Sequence, residues 1–401
     1  MLALKAKMLV SLKQILYRNR LNMAELLELS PDVLTWAAGQ TGETLGEVAR
    51  KVSKRKPELV EEGKLSQAQI VKFAKLTGVP FGYLFLSAPP AQRKLPIADF
   101  RTLTDPAPLG KDFFDIYDDI DFKLSWYRSI LKDHQADPLP FIGKFDADSD
   151  PASVAANMRK TLGVSQQSIS ALRTSDEVFS HIAARAEEQG ILIFKNSQAG
   201  GSWARPLSVS EFRGFVLSDQ WAPAVFINGA DAPAAWVFTL AHELAHLWFG
   251  DSGVSDVSIR SENKQERLCN SVAAEFLVPA NDFRELWDRS PKAIDEKLGL
   301  AKKEFKVSAL VIARRAHELG LITNQKYQEI YELVKNNIAK QKKSGGDFYL
   351  TLAVRNSKRF TDLVSQLAAS GGMTFREAGQ LLNINPNKVM TYHAKNRPLL
   401  A

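Results

Sequence analysis

One short run, residues 238–248, constrains this chain more than any other because it contains the pattern His-Glu-x-x-His. Four residues make a little over one helical turn, so His242 and His246 would stand about 6 Å apart along the axis on one helix face. Two imidazoles in that arrangement can bind Zn²⁺, and Glu243 beside them can act as general base on a zinc-bound water. The run therefore predicts a hydrolytic zinc site.

The flanking residues place the run on a helix. Asp231 is the predicted N-cap, Pro233 lies in the first turn, and Gly250 follows the last periodic residue. The helix is therefore predicted over residues 232–249. Its apolar stripe, offset from the histidines, consists of Val237, Leu240, Leu244 and Leu247.

A third ligand is expected from a second helix, since a zinc site with one open position needs three protein ligands. Residues 262–277 fit that helix and offer Glu262, Glu266 and Glu275. Glu266 and Glu275 lie about 180° apart on a helix, so they cannot both face the metal. Glu266 is the predicted ligand, with a solvated helix acid as the alternative interpretation. Asn270, one turn later, is predicted to orient a liganding histidine through its amide.

Two motifs in this region carry a family resemblance. Residues 241–247 are Ala-His-Glu-Leu-Ala-His-Leu, and residues 266–279 are Glu-Arg-Leu-Cys-Asn-Ser-Val-Ala-Ala-Glu-Phe-Leu-Val-Pro. Both resemble the motifs of the ImmA/IrrE metallo-endopeptidases, although Cys269 replaces the usual Ala and Val272 the usual Phe. The resemblance extends to Asp99-Phe100-Arg101-Thr102 and Phe212-Arg213-Gly214-Phe215. It implies a gluzincin-like zinc site with Glu266 as third ligand.

Residues 1–90 are predicted to form a helical domain. Residues 1–28 are basic and apolar and are predicted to be one amphipathic helix; shorter helices are predicted at 32–40, 44–52, 57–64, 66–76 and 80–86. Thr44 and Glu47 have the spacing of a capping box. Residues 30–37 and 73–80 resemble the helix-turn-helix (XRE-like) module that often precedes the peptidase in this family. Pro57 and the acids that follow it depart from the usual recognition helix.

A basic cluster in this domain is a candidate nucleic-acid contact. Its candidate residues are Lys51, Lys54, Arg55 and Lys56. Lysine and arginine bind DNA phosphates without reading sequence, but such a cluster can equally be a solvated loop. The sequence leaves both interpretations open, and the module could instead bind protein.

The remaining chain is divided by composition into three predicted parts. Residues 91–148 are a connector with a helix at 111–134, whose aspartates lack EF-hand spacing. Residues 149–345 are the predicted peptidase domain, with helices at 154–162 and 176–189 and a small antiparallel sheet from strands at 191–194, 215–218 and 224–227. Gly345-Gly346 marks the boundary to a small helical domain at 346–401. The predicted fold class is α+β, mainly α.

One predicted strand is a candidate for substrate binding. In zinc peptidases of this type an edge strand ahead of the metal helix pairs with the extended substrate. Phe215, Val216 and Leu217 are the candidates, although their strand could be central. Arg213 is a candidate donor to the oxyanion because it lies near this strand in sequence.

The C-terminal part also carries a helix-turn-helix resemblance. Residues 374–382, a turn at 383–385 and residues 386–393 fit two helices joined by a short connection. Lys388, Lys395 and Arg397 would allow contact with nucleic acid, but a packing role is favoured.

Composition restricts the compartment and the partners. The chain has 401 residues, a net charge of +7 and pI of about 9.2, which permit nucleic-acid binding without requiring it. Cys269 is the single cysteine, so an internal disulfide is excluded, as is usual in a reducing compartment. No apolar run reaches the ~20 residues of a membrane helix, and a cytoplasmic location is expected.

The predicted activity is zinc-dependent peptide hydrolysis in the cytoplasm. His242, His246 and Glu266 would hold Zn²⁺, and Glu243 would transfer the proton. The resemblance implies a protein substrate that is a transcription repressor or other regulator in a stress or mobile-element response. Two alternatives are a DNA-binding, antitoxin-like regulator whose zinc site is structural or sensory, and a scaffold that only binds a repressor. Glu243 favours catalysis, since a structural site does not need a general base.

Overall fold

The computed structural model describes residues 26–90, 94–101, 109–199, 205–255, 263–289, 293–336 and 348–396. Over these residues the protein is mainly helical, with one two-stranded antiparallel sheet and one five-stranded mixed sheet. This architecture is consistent with the predicted α+β class. The chain divides into two compact units, Met1–Lys94 and Leu95–Ala401.

The first unit combines short helices with one small ladder. Its described elements are β1 Leu26–Glu28, α1 Pro31–Gly39, α2 Leu45–Val52, α3 Pro57–Glu61, β2 Lys64–Ser66, α4 Gln67–Thr77 and a 3-10 helix Phe81–Phe85. Thr44 and Glu47 form the predicted capping box at the start of α2. A second capping box joins Ser66 to Gln69, and Gly78 ends α4 in a left-handed conformation. These local signals explain why the helix starts in this unit were predictable.

Two predictions for this unit are wrong. Residues 26–28 are a strand rather than the end of a helix, and the helix predicted over 57–64 ends at Glu61. The reason is pairing between distant segments: Leu26 lies opposite Ser66 and Glu28 opposite Lys64 in an antiparallel ladder. Residues 1–25, the rest of the predicted amphipathic helix, lie outside the described residues. The predicted helix-turn-helix module is not confirmed, since α3 has only five residues.

The second unit contains the larger sheet and most of the helices. Its described helices are α5 Lys111–Asp133, α6 Pro151–Leu162, α7 Gln166–Ser170, α8 Ser175–Glu188, α9 Pro233–Phe249, α10 Lys264–Leu277, α11 Ala280–Arg289, α12 Ile294–Phe305, α13 Ala309–Glu318, α14 Asn324–Asn336, α15 Phe348–Arg355, α16 Lys358–Ala369, α17 Phe375–Leu382 and α18 Pro386–Asn396. Its described strands are β3 Ala98–Asp99, β4 Leu192–Asn196, β5 Gly214–Leu217, β6 Ala224–Asn228 and β7 Gly253–Ser255.

The sheet of this unit is mixed, not antiparallel as predicted. Its strand order is β3-β7-β5-β6-β4. β5 runs antiparallel to both of its neighbours, whereas β3 is parallel to β7 and β4 is parallel to β6. β6 follows β5 through a hairpin and lies between β5 and β4, where it runs parallel to β4.

Helices cover both faces of this sheet. Alternating side chains of β5 point to opposite faces, so Val216 joins the core formed with the metal helices α9 and α10, whereas Phe215 and Leu217 join the core under α5. The continuous apolar strands of the sequence are therefore those of a sheet buried on both sides. The helix α9, which carries His-Glu-x-x-His, packs directly on the central strands.

The C-terminal helices pack on the same unit. The Nδ2 of Asn383 donates to Asp119 Oδ1 at 2.7 Å, and the buried Lys123 donates to Asn356 Oδ1 at 2.7 Å. The predicted boundaries near residues 91, 149 and 346 stay predictions; Gly345-Gly346 and Arg397 lie outside the described residues. Within the described ranges no helix has both the length and the apolar character needed to cross a membrane.

Candidate metal centre

The metal helix α9 begins and ends close to its predicted limits. Pro233 occupies its first turn, and Gly250 ends it with φ of +78°. The predicted N-cap is wrong by one residue, because Ala232 holds that position and caps without a side-chain bond. Asp231 instead accepts the backbone N–H of Ala232 at 2.8 Å and the Arg213 guanidinium at 2.7 Å.

Three buried donor groups converge between α9 and α10. The Nε2 atoms of His242 and His246 lie 3.2 Å apart. The Oε2 of Glu266 lies 3.2 Å from His242 Nε2, and its Oε1 lies 3.0 Å from His246 Nε2. All three side chains are fully buried. α10 begins after the N-cap Asn263, which presents Glu266 in its first turn; Glu262 lies outside the described residues.

This cluster fits a divalent metal ion. Donors bound to a tetrahedral ion at about 2.0–2.1 Å lie about 3.3 Å apart, close to the observed separations. Among the described residues the two carboxylate oxygens of Glu266 face the ring nitrogens of His242 and His246 without an aligned hydrogen bond, and such a buried carboxylate is costly. Burial lowers the pKa of His242, which favours the neutral imidazole that a metal requires. A cation bound among the three groups would supply the positive charge that the buried Glu266 carboxylate needs.

Glu243 is the one acid of α9 and lies beside the three ligands. It is fully buried, and neither of its carboxylate oxygens has an aligned hydrogen bond among the described residues. Burial raises the pKa of Glu243 to about 8, although the charge of His246 lowers this pKa and Ser255 lies close enough to lower it by a small amount. A carboxyl group whose pKa lies near neutral pH can accept a proton and return it.

Gly214 leaves the space that the Glu243 carboxylate occupies. A Cβ at Gly214 would lie 2.8 Å from Glu243 Oε1, 2.9 Å from Thr239 Cγ2 and 3.0 Å from the Phe226 carbonyl oxygen. The first residue of β5 therefore has to be glycine for the helix to approach this closely. Gly214 belongs to the family-like motif at residues 212–215, but the sequence alone assigns it no task.

Phe100 covers His246, one of the three candidate metal ligands. The two rings are parallel, with an interplanar angle of 5° and centroids 5.1 Å apart. β3 positions Phe100 by pairing with β7, where Ala98 lies opposite Gly253. A Cβ at Gly253 would lie 2.2 Å from the Phe100 ring, so this second glycine makes room for the stack. The family motif at 99–102 contained Phe100, but only the fold reveals the contact.

The predicted orienting residue Asn270 is buried beside the site. A hydrogen bond with Asn270 raises the pKa of His242, although burial has the larger, opposite effect. Asp251 has a comparable position beside His246, with Oδ2 3.9 Å from His246 Nδ1. Gln265 donates to the same carboxylate at 2.6 Å. Sequence reasoning missed Asp251, whose only signal is its position directly after the helix terminator Gly250.

The edge-strand prediction is wrong. Phe215, Val216 and Leu217 lie on β5, which is paired on one side with β6 and on the other with β7. Their backbone groups are used in the sheet and their side chains are buried, so this strand is not available to an extended substrate. The reason is that β7, only three residues long, follows α9 and adds to the sheet on the side that the hairpin leaves open.

Two other side chains near the site have partners of their own. The Arg213 guanidinium pairs with Asp231, ahead of α9, and its predicted role at the oxyanion stays a prediction. Glu275, on the far face of α10, pairs with Arg315 and accepts the N–H of Ala280. Helical periodicity thus separated Glu266 from Glu275 correctly.

The candidate nucleic-acid residues lie in the first unit. Lys51, Lys54, Arg55 and Lys56 are all exposed. Lys51 forms an ion pair with Glu43, which reduces its charge toward an external partner. Contact with nucleic acid stays a prediction for this cluster.

Comparison with known proteins bears on two parts of the chain. Residues 186–317 match Peptidase_M78, the IrrE N-terminal-like domain, and this range contains β4–β7 and both metal helices. Residues 356–395 match a domain of unknown function (DUF8813). No curated protein matches the sequence. The match over residues 186–317, together with the buried His242, His246 and Glu266, supports a metallopeptidase of the ImmA/IrrE type.

Proposed function

We propose that the protein is a cytoplasmic, zinc-dependent endopeptidase that cleaves a regulatory protein. The observation that carries this proposal is that a cluster of three donors able to hold a metal lies beside a buried acid that has no aligned hydrogen bond among the described residues. A structural metal site needs only the donors. Glu243 adds a proton-transfer group at the place where peptide hydrolysis requires one.

The ligands and the general base have separate tasks. His242, His246 and Glu266 hold the ion and, because α9 and α10 pack tightly around them, keep their geometry fixed. When bound, Zn²⁺ supplies Lewis acidity toward water and the scissile carbonyl. Glu243 accepts the proton of the attacking water and returns it to the leaving amine nitrogen. Gly214 gives the Glu243 carboxylate its space beside the ligands.

The ImmA/IrrE resemblance supports a regulatory substrate, such as a transcription repressor in a stress or mobile-element response. A peptidase that carries a second compact unit can use that unit to hold its target, which raises the effective concentration of the substrate. The buried Glu243, which has no aligned hydrogen bond among the described residues, favours this activity over a DNA-binding regulator with a non-catalytic zinc site.

The test compares new protein N-termini in native-host cells that express wild type or Glu243→Gln. The glutamine variant keeps the shape of the side chain but cannot take up the proton. A new N-terminus found only with wild type supports the endopeptidase and identifies its substrate. Identical sets of N-termini under resting and stressed conditions, with equal zinc content in the two proteins, would overturn the proposal.

A further inference from the structure

The last three described helices form a small bundle with a tight turn at its centre. α17 and α18 are joined by residues 383–385 only. Asn383 takes the left-handed conformation, with φ of +54°, and the N–H of Ile384 donates to the Gly379 carbonyl at 2.9 Å. A Cβ at Gly379 would lie 2.8 Å from the Ile384 carbonyl oxygen and 3.2 Å from Pro386. The crossing of the two helices is therefore close and fixed by a glycine.

One face of α18 is used to close the bundle. Val389 and Tyr392 are buried, and the Tyr392 hydroxyl donates to Asp362 Oδ1 on α16 at 2.7 Å. The bundle is completed by apolar side chains of α16 and α17, namely Phe360, Val364, Ala368, Ala378, Leu381 and Leu382. The orientation of α18 about its own axis is thereby determined.

The opposite face of α18 points to solvent. Its exposed residues are Asn387, Lys388, Met390, Thr391, Ala394 and Lys395. The 11-residue helix contains no acid, and the one large apolar side chain on this face is Met390, which is 57% exposed. A helix of this length extends about 16 Å. Its exposed face is mainly polar and carries no acid, unlike the broad apolar face that would dock another protein helix.

Charge in this bundle favours a polyanionic partner. Residues 358–396 contain five Lys or Arg residues and two acids. Both acids are occupied inside the bundle: Asp362 pairs with Lys358, and Glu377 caps Thr374 with an N–H···O distance of 2.8 Å. Arg376 is exposed in the first turn of α17. The net charge of +3 on so small a bundle suits phosphates.

We propose that α18 is a recognition helix and that the C-terminal bundle binds duplex DNA in its major groove. The major groove admits one α-helix, and two helices with a short turn present the second of them to it. Lys388 and Arg376 contact phosphates. Asn387 and Thr391 reach base edges, and Met390 and Ala394 contact thymine methyl groups. The proposed DNA binding would be the function of residues 356–395, which match a domain of unknown function.

The bundle is anchored to the rest of the second unit on a different surface. Asn383 bonds to Asp119 on α5, the Ser357 hydroxyl donates to Glu187 on α8, and Arg359 Nε donates to the Tyr127 hydroxyl at 2.8 Å. These bonds do not use the exposed residues of α18. DNA binding would therefore hold the metal-containing unit at a genomic site, and this role goes beyond the proposed peptide hydrolysis.

The test measures binding of the full chain to fluorescein-labelled duplex DNA by anisotropy, after selection of preferred sites from a random library. Lys388→Glu should weaken binding about tenfold and reduce the slope of log affinity against log salt by about one. Asn387→Ala should leave the salt slope unchanged and abolish the preference for one base pair. Lys303→Glu, an exposed reversal of equal charge on α12, should bind as wild type.

Two further variants distinguish α18 from the metal centre and from the basic cluster of the first unit. Glu243→Gln should bind DNA as wild type, so failure of the peptidase proposal leaves this one intact. Lys54→Glu with Lys56→Glu changes the basic cluster. If those two changes abolish binding while Lys388→Glu and Asn387→Ala do not alter it, α18 is not the recognition helix. Absence of any binding at about 50 mM salt would also overturn the proposal.

Discussion

The ring of Phe100 lies parallel to the imidazole of His246, with the two centroids 5.1 Å apart. The contact joins residues 146 positions apart in sequence and depends on the two-residue strand β3. Asp99 and Arg101 on either side form an ion pair at 2.6 Å, and the Arg101 guanidinium also donates to the Glu211 carbonyl. Since His242, Glu243, His246 and Glu266 are fully buried, this short segment is part of what closes the metal centre.

Removing the Phe100 ring should open the centre. Phe100→Ala is expected to speed the loss of zinc to a chelator by about tenfold. The stack of the two rings stabilises the closed site by on the order of 1 kcal/mol. Its removal also leaves a gap above His246. The measurement is the first-order rate of zinc transfer to a coloured chelator. Phe122→Ala, which removes a ring that is 59% exposed on α5, is the matched control. Equal rates for the two variants would show that Phe100 does not close the site.

Glu266 and Glu275 give a direct test of the ligand set, since they lie on opposite faces of the same helix. Glu266→Gln should lower zinc affinity at least tenfold, because it replaces an anionic ligand by a neutral amide. Glu275→Gln should retain zinc but lower the free energy of unfolding by about 1–3 kcal/mol, since it breaks the partly buried pair with Arg315. Zinc titration and urea unfolding measure the two effects. Equal zinc affinities would remove Glu266 from the site.

Helix limits and the grouping of the three candidate metal ligands could be predicted because their signals are local. Helices predicted at 111–134, 154–162 and 176–189 occur at Lys111–Asp133, Pro151–Leu162 and Ser175–Glu188. His242 and His246 share a helix face through their four-residue spacing, and Glu266 was distinguished from Glu275 by the same periodicity. The structure brings the side chains of these three residues together between two helices.

The strand order and the stacking of Phe100 on His246 could not be predicted. Both depend on pairing between strands that are far apart in sequence. The central position of β5 requires β7, whose three residues carry no strand signal of their own. The Phe100–His246 stack requires β3, which has two residues and pairs with Gly253 far along the chain. Gly214 and Gly253 illustrate the same limit: the sequence shows a glycine, and only the fold shows which side chain needs its space.

Stability of the metal-free protein should fall with rising pH because of Glu243. Its pKa is raised by burial from 4.5 to about 8, so between these values the folded state holds a proton that the unfolded chain has released. Each pH unit in this window lowers the free energy of unfolding by up to about 1.4 kcal/mol. Glu243→Gln removes this dependence and should therefore stabilise the metal-free protein most at about pH 8.

Urea unfolding in the presence of chelator, at about pH 5 and about pH 8, measures this effect. Glu332→Gln, at an exposed position on α14, is the control and should follow wild type at both pH values. Bound zinc should reduce the wild-type dependence, since a nearby cation favours the carboxylate. Parallel curves for metal-free wild type and Glu243→Gln would contradict a raised pKa at this residue.

Gly214 should be as necessary to the centre as a ligand, although it contacts no metal. In Gly214→Ala the new methyl group meets the Glu243 carboxylate at 2.8 Å and the Phe226 carbonyl at 3.0 Å, so either the carboxylate moves or α9 shifts from β5. Overpacking of this kind lowers the free energy of unfolding by about 1–3 kcal/mol, and displacement of the general base should abolish most turnover.

Gly299→Ala is the control: a Cβ there has open space, and alanine in the helix α12 should stabilise the protein by about 0.5–1 kcal/mol. Wild-type stability and turnover in Gly214→Ala would mean that Glu243 tolerates displacement, and the close approach of β5 to α9 would then have no role in proton transfer.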